Sequence, residues 1–236
     1  MMKKVIIVIP AYNEEEILGK NIIKLHNFCK KNIRKYNWEI IISDNNSQDK
    51  TLEIAKKLAK KYKQIGFVHQ TDRPKSLSLK NTFLKFDSDF YMYMDADLST
   101  DLKHIPELLQ GIEQGYDIVI GSRIVKKRTL KRSIISYWFN LILKIFLLMN
   151  IKDFQCGFKI INKKTRDNII PKMKALRHGF MDTEMIVVAH KKRYKIKEIP
   201  VSWEDERESK EQLFKATIDV FKNLARIKLD LLLGKY

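Results

Sequence analysis

The 236-residue chain carries 46 Lys and Arg against 28 Asp and Glu, a formal charge of +18. At 44% hydrophobic and 10% aromatic residues it has enough apolar mass for one buried α/β core, which excludes a disordered chain. Its two cysteines, Cys29 and Cys156, lack CxxC or Cys/His spacing, which argues against a disulfide scaffold or a zinc site and fits a reducing compartment.

From the N-terminus, Met1–Pro10 runs straight into an apolar strand with no cleavage-type segment, so no signal peptide is expected. Short apolar runs at Val5–Ile9, Glu39–Ile42, Gly66–His69, Phe90–Met94 and Asp117–Ile120 show little polar alternation, the pattern of strands covered on both faces. Helical patterns lie between them at Glu14–Cys29, Asp49–Tyr62, Lys75–Phe86 and Lys103–Gln114. Asp49 with Thr51 and Glu53 marks a helix start, and Pro106 falls in an early turn where proline is tolerated. This alternation predicts a doubly wound parallel sheet with right-handed crossovers and a ligand crevice beyond the carboxyl ends of its strands. Cys156–Ile161 and Ile196–Val201 read as later strands with a helix near Asp182–Lys192 between them, and Glu211–Leu233 as a long amphipathic helix. No repeat or linker divides the chain, so residues 1–210 are expected to form one domain, with 211–236 an interfacial helical extension.

Polar clusters follow three of the strands. They are Pro10-Ala11-Tyr12-Asn13-Glu14-Glu15, Ser43-Asp44-Asn45-Asn46-Ser47-Gln48-Asp49 and Met94-Asp95-Ala96-Asp97-Leu98-Ser99. Asp95 and Asp97 flank one small residue, and two carboxylates that close repel unless a cation lies between them. A hard ion such as Mg²⁺ or Mn²⁺, which also accepts phosphate oxygens, suits the pair; taken alone, the segment equally suits a capped turn before the next helix.

In order, these clusters followed by Gly121-Ser122-Arg123 and Cys156-Gly157-Phe158 resemble the family 2 glycosyltransferases of GT-A fold, a doubly wound mixed sheet. The resemblance covers roughly residues 4 to 210 and is nearest to the dolichyl-phosphate mannose synthases and glucosyltransferases. It implies a nucleotide-sugar site in which Pro10, Tyr12 and Glu14 line the base and ribose pocket and Asp44 meets polar atoms of uracil or guanine. Asp95, Ala96 and Asp97 would close on ribose and metal, with Asp97 the principal metal ligand. Arg73 and Lys75, standing where the family has Asn-Arg-Gly-Lys-Gly, are phosphate candidates, while Arg123 and Arg132 would hold phosphates of donor and acceptor. Glu184 would face the sugar or acceptor; the plain alternative is a helix-start carboxylate near a macrodipole. Asn45 and Asn46 stand where the family has aspartate and glycine, and asparagine tolerates the left-handed backbone.

The implied reaction is inverting transfer of a hexose to dolichyl or polyprenyl phosphate. GDP-mannose is favoured as donor on the Asp95-Ala96-Asp97-Leu98-Ser99 segment, while Asp153–Lys159 leans to UDP-glucose. A phosphate monoester is largely ionised near neutrality and needs no general base. An alcohol acceptor on the same fold would need one, with Glu184 the candidate.

Ser133–Ile151 is apolar apart from Lys144 and nominally long enough to span a bilayer. Spanning would put Arg132 and Asp153 on opposite sides and split the site, so an interfacial helix is expected there and in the tail. The sequence thus predicts a peripheral protein on the cytoplasmic face of a membrane. A nucleic-acid-binding role would account for the charge but leaves the acidic clusters without a purpose, so no specific nucleic-acid partner is expected.

Overall fold

The computed structural model describes residues 2–71, 74–125, 149, 151–174, 181–204, 223 and 225–236. Arg73, Arg132, the basic run 126–132, the apolar stretch 133–148 and the tail from 205 to 222 lie outside the described residues.

The strands are β1 (Lys4–Ala11), β2 (Asn37–Asp44), β3 (Ile65–His69), β4 (Phe90–Met94), β5 (Ile118–Val125), β6 (Phe158–Asn162) and β7 (Ile196–Trp203). They form one seven-stranded sheet in the order β3-β2-β1-β4-β6-β5-β7. β1 pairs in parallel with β2 and β4, β2 with β3, and β5 with β7. β6 lies antiparallel between β4 and β5, so the sheet is mixed, as the family resemblance implies, rather than parallel throughout as the strand–helix alternation alone would suggest. An antiparallel strand presents its beginning, not its end, at the edge where its parallel neighbours finish. Met94 therefore stands opposite Phe158, which brings Cys156 and Gly157 to the same edge as the ends of β1, β2 and β4.

Helices α1 (Leu18–Asn32), α2 (Thr51–Lys61), α3 (Lys75–Lys85), α4 (Ile105–Glu113), α5 (Lys163–Asn168) and α6 (Met181–Lys191) cover the sheet. Alternate strand residues divide the core as the pleat requires. Val5, Ile7, Ile9, Ile40 and Ile42 pack with Leu18, Leu25 and Leu108 on one face, and Ile6, Val8, Tyr91 and Tyr93 with Leu79, Phe83 and Ile186 on the other. Burial on both faces is why the strands read as unbroken apolar runs.

The described end of the tail is helical over residues 225–232 and is built into this core: Ile227 and Tyr236 are buried in the cluster containing Met185 and Val187. Leu229, Leu232 and Leu233 are exposed. Among the described residues no helix is long and apolar enough to cross a membrane.

Candidate active site

The loops after β1, β2 and β4 converge on a cavity of about 440 Å³ lined by Pro10, Tyr12, Glu14, Asn45, Lys75, Asp95, Ala96 and Asp97. Each loop contains a left-handed residue outside glycine: Asn13 (φ 53°), Asn46 (φ 61°) and Leu98 (φ 54°). Asparagine takes this conformation readily, whereas a leucine there stores strain of the kind that gathers at functional sites.

Cross-loop hydrogen bonds hold the first two loops together. The Asn13 amide donates to Ser47 Oγ (3.1 Å), the Glu14 amide to Thr51 Oγ1 (2.8 Å) and the Gln48 amide to Asn13 Oδ1 (2.8 Å). These bonds displace the start of α1 from the expected Glu14 to Leu18. The third loop is fixed by Asn21 Nδ2 donating to the Ala96 carbonyl (2.9 Å) and by Asp97 Oδ1 accepting from the Ser99 amide (3.0 Å). Trp203, at the end of β7, bridges to Thr100, and the Glu204 amide donates to the Ser99 carbonyl (3.0 Å).

Four ion pairs or charged hydrogen bonds surround the crevice, each joining residues far apart in the chain. Lys75 Nζ donates to Asp95 Oδ1. Burial works against the charge on Lys75, but Asp95 outweighs it and raises the pKa above the ordinary lysine value. Arg123 grips Asp153 with Nε (2.6 Å) and Nη2 (2.9 Å), and its guanidinium lies over the Trp203 ring at 5.4 Å. Burial opposes both charges, and the fork geometry prevails, holding Asp153 below the usual carboxylate range and Arg123 above its own. His69 Nδ1 lies 2.7 Å from Oδ2 of fully buried Asp44.

The fourth pair is deepest. Lys159, 0% exposed in the middle of β6, donates to the Cys156 carbonyl and to Asp182 Oδ1 (3.0 Å). Burial drives both partners toward neutrality: Asp182 is pushed up to about 7 with Lys75 opposing, and Lys159 is pushed down to about 8.

Pro10, Tyr12, Glu14, Lys75, Asp95, Ala96 and Asp97 thus lie together, as the sequence predicts. Asp44 sits one residue from the lining residue Asn45, and Arg123, paired with Asp153, is not among the lining residues. Glu184 does not join them. It is fully buried and faces the tail, where its Oε1 accepts from Arg226 Nη2 (2.9 Å) and Tyr236 Oη, and both its oxygens accept from the Lys174 amide. Asp182, two residues earlier on α6, is the acid on the crevice side. The sequence does not single out His69, and Asp153 and Lys159 enter there only through the Asp153–Lys159 segment and the placing of Asp153 on the site's side of the membrane, with no role given to either. The one local signal is Lys159, a lysine inside an apolar strand.

The donor set suits a hard divalent cation. Asp95 and Asp97 face one cavity, and Gly157 packs so tightly on Asp95 that an added Cβ would fall 2.2 Å from Oδ2. Among the described residues no group of three or more His, Cys, Asp or Glu gathers as a complete ligand shell. A metal here would therefore take Asp97 and Asp95 and fill its remaining positions from ligand oxygens and water.

Comparison with known proteins agrees with this arrangement. Across 99% of this chain and 80% of its own, glucosyl-3-phosphoglycerate synthase from Mycobacterium tuberculosis, solved with Mn²⁺ and UDP, superposes with a TM-score of 0.68 at 13% identity, which establishes the GT-A fold. The dolichyl-phosphate beta-glucosyltransferases of Dictyostelium discoideum and Saccharomyces cerevisiae are each 30% identical, over 97% and 98% of this chain and 75% of their own lengths. Glycosyltransferase AglD of Haloferax volcanii is 30% identical over 94% of this chain, which spans 36% of that longer protein. The family model of glycosyl transferase family 2 matches residues 6–170, and the chain belongs to that family and is a glycosyltransferase.

Proposed function

We propose that the protein transfers glucose from UDP-glucose to a polyprenyl or dolichyl phosphate, inverting the anomeric centre, at a membrane surface. The observation that carries the reading is the cavity at the ends of β1, β2 and β4, where Asp95, Asp97 and Lys75 meet the apolar and aromatic wall of Pro10 and Tyr12. The wall suits a base and ribose, and the charged floor suits a metal-bound diphosphate. The Dictyostelium and Saccharomyces relatives are dolichyl-phosphate beta-glucosyltransferases, so the expected preference for GDP-mannose gives way to UDP-glucose.

Asp97, with Asp95, would hold Mg²⁺ or Mn²⁺, and the ion would supply Lewis-acid stabilisation to the departing diphosphate. Among the described residues near the cavity, Lys75, Arg123 and Lys159 already rest on Asp95, Asp153 and Asp182, while Asp97 and Glu14 add further carboxylates to the lining. A diphosphate entering such a crevice is favoured only if a cation comes with it. Lys75, on the cavity lip, positions the Asp95 carboxylate and is within reach of donor oxygens. The acceptor phosphate, already ionised, needs cations rather than a base. Arg123 is the described candidate, with Arg73 and Arg132 of the sequence reading retained as further phosphate ligands. Surface attachment is supported by the charge of +18 and by Leu229, Leu232 and Leu233 standing exposed beside Lys228 and Lys235.

Radiolabelled transfer from UDP-glucose and GDP-mannose to a short polyprenyl phosphate, with Mn²⁺ or EDTA, tests the proposal. Metal-dependent glucosyl lipid is expected. Mannosyl lipid, or transfer only to free alcohols, would overturn it.

A further inference from the structure

Lys75 opens α3 directly after Pro74 and stands at the lip of the cavity, its side chain 44% exposed. Its ammonium donates to Asp95 Oδ1, while Asp95 Oδ2 packs against Gly157, where an added Cβ would fall 2.2 Å away. Both oxygens of Asp95 are therefore engaged by the protein itself. Asp97 lends Oδ1 to the Ser99 amide (3.0 Å), so Oδ2 is its remaining oxygen. Lys75 also feels the charges of Asp182 and Asp97, so one ammonium stands among three carboxylates.

A hard divalent cation draws its affinity from anionic oxygens and is repelled by a neighbouring positive charge. With Lys75 on Asp95, a free ion meets a carboxylate pair that is already half neutralised. A diphosphate changes that balance, because it carries its own oxygens to the ion and offers the ammonium a second anion. Metal and nucleotide then each favour the other's binding, by the same factor in both directions, and Lys75 sets the size of that factor.

We propose that Lys75 is a positioning residue, a built-in counter-ion that withholds Asp95 from a free divalent cation and so makes metal uptake depend on the nucleotide diphosphate. The inference rests on the nucleotide-sugar reading above and adds to it the order in which that site fills. Lys75 is exposed at the lip, so Lys75→Met, which keeps the length of the side chain and removes its charge, is compatible with folding.

The test is titration of the full chain with Mn²⁺, the free ion followed by electron paramagnetic resonance, without nucleotide and with saturating UDP. It compares the wild type with Lys75→Met, Lys75→Arg and Lys75→Met/Asp97→Asn. The wild type is expected to hold Mn²⁺ about tenfold or more tighter with UDP than without. Lys75→Met should bind the free ion about tenfold tighter than the wild type, and its gain from UDP should shrink by at least that factor. Lys75→Arg retains the charge and should keep the wild-type gain. Adding Asp97→Asn should erase the tighter binding of Lys75→Met, which places the ion in this crevice; a purely structural role for Lys75 would lower Tm and leave Mn²⁺ affinity alone. Free Mn²⁺ bound no tighter by Lys75→Met than by the wild type, or a gain that survives Asp97→Asn, would overturn the inference while UDP binding stands. A wild type that binds no UDP at any Mn²⁺ concentration would overturn the nucleotide-sugar reading, and the inference with it.

Discussion

Gly157→Ala is the most direct probe of how the crevice is assembled. A methyl group on Gly157 would lie 2.2 Å from Asp95 Oδ2, 2.7 Å from its Cγ and 2.8 Å from Oδ1. A carbon–oxygen contact requires about 3.3 Å, so the carboxylate must retreat by on the order of 1 Å. The obstructed group is the free end of a side chain, so it swings rather than pushing backbone, and the cost to folding is only about 1–2 kcal/mol. The cost to function is larger, because the displaced carboxylate leaves Lys75 and the metal position together. A misplacement of about 1 Å costs about 10²-fold in rate, or roughly 2.7 kcal/mol of transition-state stabilisation. Initial rates of sugar transfer, donor Kd and Tm should be measured beside Gly115→Ala. Gly115 has φ +87° with nothing within 4 Å of an added Cβ, so its variant should lose about 1 kcal/mol of stability and no activity. Wild-type rate and donor affinity in Gly157→Ala would refute the reasoning.

Three further outcomes are expected. Asp182, pushed up to about 7, lends stability in its neutral form that is lost as pH rises from about 4 through 7. Lys159, pushed down to about 8, lends stability that is present above its ordinary value and lost as pH falls through 8. Denaturation against pH should therefore place the wild type lowest, relative to Asp182→Leu/Lys159→Met, between pH 7 and 8; a flat difference would contradict the burial argument. Glu184→Ala removes the buried carboxylate that accepts from Arg226, Tyr236 and the Lys174 amide, while Asp230 still pairs with Arg226, and should cost about 1–3 kcal/mol by chemical denaturation while activity per folded molecule holds. Selective loss of transfer at unchanged stability would instead return Glu184 to the site. Asp97→Asn should abolish the stabilisation by UDP plus Mn²⁺, about 2.7 kcal/mol for the wild type at 100 times Kd. An equal thermal shift in both proteins would remove Asp97 from the metal's ligands.

The parts of the fold that the sequence reveals are those in which one physical demand dominates. Strands buried on both faces must be apolar throughout, so β1, β2 and β4 are visible as runs, and a parallel sheet must place its loops at one edge, so the acids following those runs read as a site. Direction is a different matter. Nothing in Phe158–Asn162 distinguishes an antiparallel strand from a parallel one, yet that direction brings Gly157 against Asp95. The pairings are equally silent: Lys75 with Asp95, Arg123 with Asp153 and Lys159 with Asp182 join residues 20 to 30 positions apart, with no periodicity to relate them. The expectation that Glu184 faces the sugar or acceptor missed its burial against the tail because α6 is buried almost all round, from Met181 to Ala189 apart from Asp182. A helix without a polar face carries no signal of which side meets the crevice.

The charge of the chain and the charge of its crevice run in opposite directions, and the contrast bears on how a donor binds. A surface at +18 draws polyanions from solution whatever their identity, and its pull weakens with salt. Inside the crevice the described cations are held by carboxylates: Lys75 by Asp95, Arg123 by Asp153 and Lys159 by Asp182. Each pair fixes its partners' geometry before any ligand arrives, which is what an active site gains from preorganisation. The same pairing leaves the described crevice with Asp97 in excess, so a bare diphosphate meets repulsion where the surface promised attraction. A divalent ion held by Asp97 would reverse that sign at the site alone. On the proposed reading, selectivity for a metal-bound nucleotide diphosphate over other polyanions would arise from the acids of the crevice, and the basic surface would serve delivery.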